Sequence, residues 1–158
     1  MVLGRIFSPS LIKIGLESED KDETFEEMVD LFVSRYPDAE REGILSVIRD
    51  RESKLSTGIK TGIALPHAQN VPVPQGEYGV IGISKEGIDY DALDGKPVHA
   101  VFMILTSSED YSMHLRILKR LAFLLENPEF YLSLMEQKDP EGVYKTICKF
   151  EDLLTTSV

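Results

Sequence analysis

Eight consecutive residues, Val98 to Leu105 (VHAVFMIL), contain seven apolar side chains and one histidine. A strand points successive side chains to opposite faces, so a run that is apolar at nearly every position must be covered on both. That requirement predicts a central strand with helices packed on each side of its sheet, an α/β or α+β architecture. At 158 residues the chain fits one domain, residues 1–158.

Hydrophobic periodicity supplies the covering elements. Phe25, Met28, Val29 and Phe32 recur at helical spacing after Thr24 and Glu27, a capping-box pair. They predict a helix over residues 24–35, stopped by Pro37. Asp38 is the expected cap of a second helix that buries Ile44, Leu45, Val47 and Ile48. A loop from Gly58 leads into a short strand, and Leu65, which precedes a proline, is held extended. Tyr78 to Lys85 reads as a further strand. In the C-terminal third, Leu118, Leu121, Ala122 and Leu125 form one stripe of a helix over residues 113–125. Asn127-Pro128 breaks it, a short helix covers residues 129–137, and Asp139-Pro140-Glu141 starts a last helix carrying Val143, Ile147 and Phe150.

Several function classes are excluded or disfavoured. There is no GxxxxGK[ST] loop, no GxGxxG opening a helix after a strand, no GxSxG, and no HExxH or CxxC metal spacing. An ATP-dependent kinase, a serine hydrolase, a cofactor site and a metal site are therefore not expected. The formal charge of −10 repels nucleic acid and anionic membranes and suits a basic protein partner. A single cysteine, Cys148, allows no internal disulfide, and no apolar run approaches membrane-spanning length. The first residues lack a signal-peptide pattern, so a cytoplasmic location is expected.

Candidate chemistry centres on Ser56-Thr57-Gly58-Ile59-Lys60-Thr61-Gly62-Ile63-Ala64-Leu65-Pro66-His67. A neutral imidazole has one nitrogen with a free lone pair, able to attack phosphorus, while the other carries a proton held by an acceptor such as a backbone carbonyl. Gly58 and Gly62 permit close backbone approach to a phosphoryl group, and N–H groups with the Ser56 and Thr57 hydroxyls are candidates to bind its oxygens. A merely structural Pro-His loop is the alternative. His114 falls on the stripe with Leu118, Leu121 and Leu125, near a helix start where anions are favoured. There it reads either as a phosphate ligand or as a helix-end histidine bonded to a neighbour. His99, inside the apolar strand, reads as a packed core residue. Arg49, Arg51, Lys54 and Lys60 give a local excess of positive charge, either a solvated face or a surface that tolerates an anion near His67.

Arg51-Glu52, Ser56-Thr57-Gly58-Ile59 and Gly62-Ile63-Ala64-Leu65-Pro66-His67-Ala68 together resemble the signature of the fructose/mannitol-type enzyme IIA domains of the bacterial phosphoenolpyruvate-dependent phosphotransferase system. Nitrogen-regulatory IIA proteins belong to the same family. Residues 88–98 and the His114 segment agree in order and spacing, so the resemblance covers about residues 8–152. It implies a mixed sheet with helices on both faces. It implies that His67 is the phosphorylated residue, that His114 stabilises the phosphoryl group, that Arg51 is the nearby cation and that Thr57 lines the site. The implied donor is a histidine phosphocarrier protein, and the implied acceptor is a cysteine of a IIB protein or, for the regulatory type, a target protein that is bound. Two departures stand out: Lys60, where the family usually has glycine, adds a charge expected close to the site, and Thr106-Ser107-Ser108 replaces a segment that often contains proline. The short single unit favours the nitrogen-regulatory type over the sugar-transport type; a fold relative that binds without phosphorylation is a third reading.

Overall fold

The computed structural model describes residues 2–58 and 60–156; Ile59 of the motif lies outside them. The chain opens with a short helix, α1 (Leu3–Ile6), a 3-10 turn (Pro9–Leu11) and strand β1 (Ile12–Ile14). Two helices follow, α2 (Lys21–Arg35) and α3 (Arg41–Lys54). Short strands β2 (Ile63–Ala64) and β3 (His67–Ala68) precede the long pair β4 (Glu77–Ile88) and β5 (Val98–Thr106). Helices α4 (Tyr111–Leu125), α5 (Pro128–Glu136) and α6 (Pro140–Thr156) complete the chain.

The strand order is β1-β4-β5-β2, with β3 also paired to β5. β4 and β5 are antiparallel, whereas β1 runs parallel to β4 and both β2 and β3 run parallel to β5, so the sheet is mixed. β2 and β3 are two pieces of one edge, interrupted by Leu65-Pro66. Proline lacks the N–H that a central strand needs, and an edge tolerates it.

β5 behaves as its sequence requires. Val101, Met103 and Leu105 pack in a core with α2 and α3, whereas Ala100, Phe102 and Ile104 pack in a second core with α1 and α4–α6. All six are 0 % exposed, so the strand has no solvent face. β4 comes close to the N-terminal segment because it carries glycine: a Cβ on Gly79 would overlap the Phe7 ring.

Details of α2, α3 and α4 differ from expectation. α2 begins three residues earlier than Thr24, because Asp20 is the N-cap, its carboxylate accepting the Glu23 N–H at 2.9 Å. The Thr24 hydroxyl instead donates to the Asp20 carbonyl at 2.7 Å, inside the first turn. Asp38 does not cap α3. The turn closed by Ala39 N–H on the Tyr36 carbonyl leaves it two residues short of the cap position, which Glu40 takes without a side-chain bond. On α4 the buried positions are His114, Ile117, Leu121, Leu124 and Leu125, a stripe rotated from the expected one, with Leu118 and Ala122 only half-buried.

Candidate functional site

Three elements from three layers converge at the C-terminal end of β5. α3 brings Arg51, the β2–β3 edge brings His67, and the first turn of α4 brings His114. Register sets the positions: His67 lies opposite Ile104, two residues before Thr106 at the strand end. The His67 and His114 ring centroids are 5.6 Å apart. Both rings line an open cleft of about 350 Å³ with Arg51, Lys54, Asp50 and Tyr111.

Hydrogen bonding assigns the His67 nitrogens. Nδ1 is 2.8 Å from the Leu65 carbonyl, an acceptor only, so Nδ1 carries the proton and donates it there. The lone pair is then on Nε2, 3.5 Å from Nη2 of Arg51. Burial lowers the His67 pKa; the Leu65 bond opposes that shift and the Arg51 charge adds to it. The ring is thus neutral near pH 7. Arg51 is itself steadied by a bond from Nη1 to the Leu55 carbonyl at 3.2 Å.

His114 is 1 % exposed, and its Nδ1 pairs with the Thr106 hydroxyl at 2.9 Å. Burial, and secondarily the nearby His67, push its pKa down to about 4. The stability consequence has a definite sign. The unfolded histidine titrates near 6.5. Between pH 6.5 and about 4 the unfolded chain therefore binds more protons than the folded one, and stability falls as pH drops through that window. By pH 5 the loss from His114 amounts to about 2 kcal/mol relative to pH 7.5. Urea denaturation at the two pH values checks this: His114→Asn should lose that part of the pH dependence, and an unchanged dependence would refute the origin given.

Four residues expected to surround a phosphate do not line the cleft. Thr57 is 2 % exposed, and its amide and hydroxyl bond to Glu52 at 2.8 and 2.6 Å. Ser56 Oγ accepts the Gly58 N–H at 3.2 Å within its own turn. Gly58 packs on Tyr90 and Ala92, where a Cβ would meet the Ala92 Cβ at 2.6 Å. Gly62, at φ +80°, offers its carbonyl to the amides of His99 and Ala100. Ser56, Thr57 and Gly58 are turned to their own loop, to Glu52 and to Tyr90. For Gly62 the reason is the register of the edge: Ile63 pairs with Ala100 at the start of β5, and the five residue steps from Gly62 to His67 cover roughly 16 Å.

The basic segment is only partly gathered at the cleft, through Arg51 and Lys54. Arg49 pairs with Asp22 at 2.7 Å, and Lys54 with Asp50 at 3.5 Å. Lys60 is not at the cleft: its Nζ donates to the Leu125 carbonyl at 3.2 Å, at the C-terminus of α4, where a cation is favoured. His114 is eleven residues away along that helix, roughly 16 Å. Of these four cations, Arg51 is the one beside the His67 ring. The sequence suggests a backbone carbonyl at the protonated nitrogen of His67 without singling out Leu65, and gives Thr106 no part in holding His114. It presents Glu52 without giving it a role.

A family model described as "Phosphoenolpyruvate-dependent sugar phosphotransferase system, EIIA 2" matches residues 5–149. The chain belongs to this family. A fructose-specific EIIABC component of Bacillus subtilis is 35 % identical over 147 residues, which are 93 % of this chain and 23 % of that protein. This chain therefore spans about a quarter of that relative. A fructose-specific EIIA component of Haloferax volcanii is 30 % identical, covering 88 % of this chain and 90 % of that protein. The crystal structure of the nitrogen regulatory protein IIA-Ntr of Neisseria meningitidis aligns with a TM-score of 0.84 at 29 % identity, covering 92 % of this chain and 99 % of that one. The EIIA type-2 fold thus accounts for the mixed five-stranded sheet described above, and no helix among the described residues is long and apolar enough to cross a membrane.

Proposed function

We propose that this chain is a phosphoryl carrier, accepting a phosphoryl group on Nε2 of His67 from a cytoplasmic histidine phosphocarrier protein. The observation that carries the reading is the Nδ1–H bond to the Leu65 carbonyl, which leaves the Nε2 lone pair facing Arg51 in an open cleft. Nε2 attacks phosphorus as the donor's N–P bond breaks. Each ring keeps the proton on its other nitrogen, so the positive charge of the phosphorylated ring passes to His67. Arg51 faces the incoming negative oxygens. With the Thr106 hydroxyl donating to Nδ1 of His114, Nε2–H of that ring remains to donate to the phosphoryl group. In-line alignment and fixed donors supply most of the rate in such transfers.

Mass measurement after incubation with phosphoenolpyruvate, enzyme I and a phosphocarrier tests this. One alkali-stable, acid-labile phosphoryl group is the expected result. Its absence with every cognate carrier would leave a binding module without phosphoryl transfer. A regulatory output is supported by the likeness to IIA-Ntr. Transfer to a IIB cysteine is supported by the higher identity to a fructose-specific protein. Adding cognate IIB decides between them: rapid loss of label to IIB means transport, and retention means regulation by binding. Chain length does not separate the two, since relatives of both kinds match over at least nine-tenths of their own length.

A further inference from the structure

We propose that Glu52 is a positioning residue for His67, acting through the backbone of Thr57 and Leu65. Glu52 is 7 % exposed on α3 and uses both carboxylate oxygens on one loop residue. Oε1 accepts the Thr57 N–H at 2.8 Å and Oε2 accepts the Thr57 hydroxyl at 2.6 Å. Lys21 meets Oε1 at 3.1 Å and lies 4.9 Å from the centre of the Tyr90 ring, whose hydroxyl reaches Thr57 Oγ1 at 2.9 Å. Thr57 is therefore gripped at its amide and its side chain.

Its carbonyl is the next link, accepting the Leu65 N–H at 2.9 Å. The Leu65 carbonyl in turn accepts the Nδ1 proton of His67 at 2.8 Å. Pro66 restricts Leu65 to extended backbone, and its own carbonyl is held by the Ile104 N–H at 3.0 Å. The donor and acceptor of Thr57, and those of Leu65, belong to different peptide units. What passes along the chain is thus position and not charge: Glu52 fixes Thr57, Thr57 fixes Leu65, and Leu65 fixes which imidazole nitrogen is bare. The consequence for transfer rests on His67 as phosphoryl acceptor; the positioning rests on the hydrogen bonds alone.

Imidazole nitrogen-15 shifts at pH 8 read the tautomer directly, without any phosphoryl donor. The wild type should show a single Nδ1–H form of His67. Glu52→Ala should show a mixture of tautomers. Glu52→Gln loses the charge but can still accept from the Thr57 amide and donate to its hydroxyl, so it should keep the wild-type pattern. An Ala variant with wild-type shifts, or Gln and Ala variants equally perturbed, would overturn the proposal. Should Glu52→Ala fail to fold, Glu52→Asp, one methylene short of Thr57, takes its place with the same criteria. Glu52→Ala should also slow phosphoryl uptake about 10- to 100-fold with the end-point unchanged. If the wild type takes up no phosphoryl group, the proposed function falls while the nitrogen shifts still decide the positioning.

Discussion

His67→Ala should take up no phosphoryl group, with a rate at least about a thousandfold below wild type. The side chain removed is the nucleophile of the proposed transfer, and no neighbour can substitute. His114 is almost wholly buried, with Nδ1 engaged by Thr106, and Arg51 has no lone pair to offer. The fold should survive, because His67 is half-buried at a sheet edge and its backbone pairing with β5 does not need the ring. His114→Ala is the informative contrast. It removes a donor and leaves the nucleophile, so transfer should slow by about 100-fold and still reach completion. Radiolabel or mass time courses on the two variants check both outcomes. Equal labelling of His67→Ala would place the acceptor elsewhere, and unchanged kinetics in His114→Ala would remove that residue from the transfer.

The largest stability effect is expected far from the cleft, at Glu151→Ala. Glu151 is 0 % exposed on α6. Its carboxylate accepts the N–H groups of Val2, Leu3 and Gly4 at 3.0, 2.9 and 3.1 Å, and Nε of Arg120 at 2.7 Å. Burial opposes ionisation there, and these four donors outweigh it, so the carboxyl pKa lies below its usual value. The carboxylate thus ties the start of α1 to α4 and α6, and α1 with the residue after it delivers Leu3, Ile6 and Phe7 to the second core. Truncation leaves three amides and a half-buried guanidinium without their acceptor. Removing one partner of a buried pair typically costs about 3–5 kcal/mol, a large part of the total stability of a domain this size. Urea denaturation should show this as a lower midpoint at pH 7. Glu151→Gln, which retains an oxygen acceptor, should lose less. Equal midpoints for wild type and Glu151→Ala would refute the anchoring role.

The layered fold was legible because Val98–Leu105 has only one physical solution, and the helices betray themselves by apolar spacing. Helix starts were less legible. Asp20, Thr24 and Asp38 are all plausible caps by residue type, and the choice depends on the turn that delivers the chain, which Tyr36 and Pro72 set from outside the helix. The motif, the helical phase of His114 and the family resemblance name the two histidines and Arg51, which the fold brings to one cleft. The glycine-lined loop is close to His67 in sequence and not in space. An extended edge carries Gly62 away from His67, and the turn that Ile63 N–H closes on the Lys60 carbonyl keeps Lys60 at that far end. A backbone carbonyl at the imidazole proton is expected from the chemistry alone, but which carbonyl is set by the fold, and a threonine at a strand end such as Thr106 is unremarkable by type.

The side chains of the cleft come from α3 on one side of the sheet, from its edge, and from α4 on the other side. Among them Arg51, His67 and His114 come from separate stretches of the chain, and any opening of α3, of the β2–β3 edge or of α4 separates at least two of them. Competence for transfer is thus a joint property of the sheet and of the helix layers on both its sides. It should vanish with denaturant along the same curve as the far-ultraviolet signal, with no partly folded form that has lost α3 or α4 retaining it.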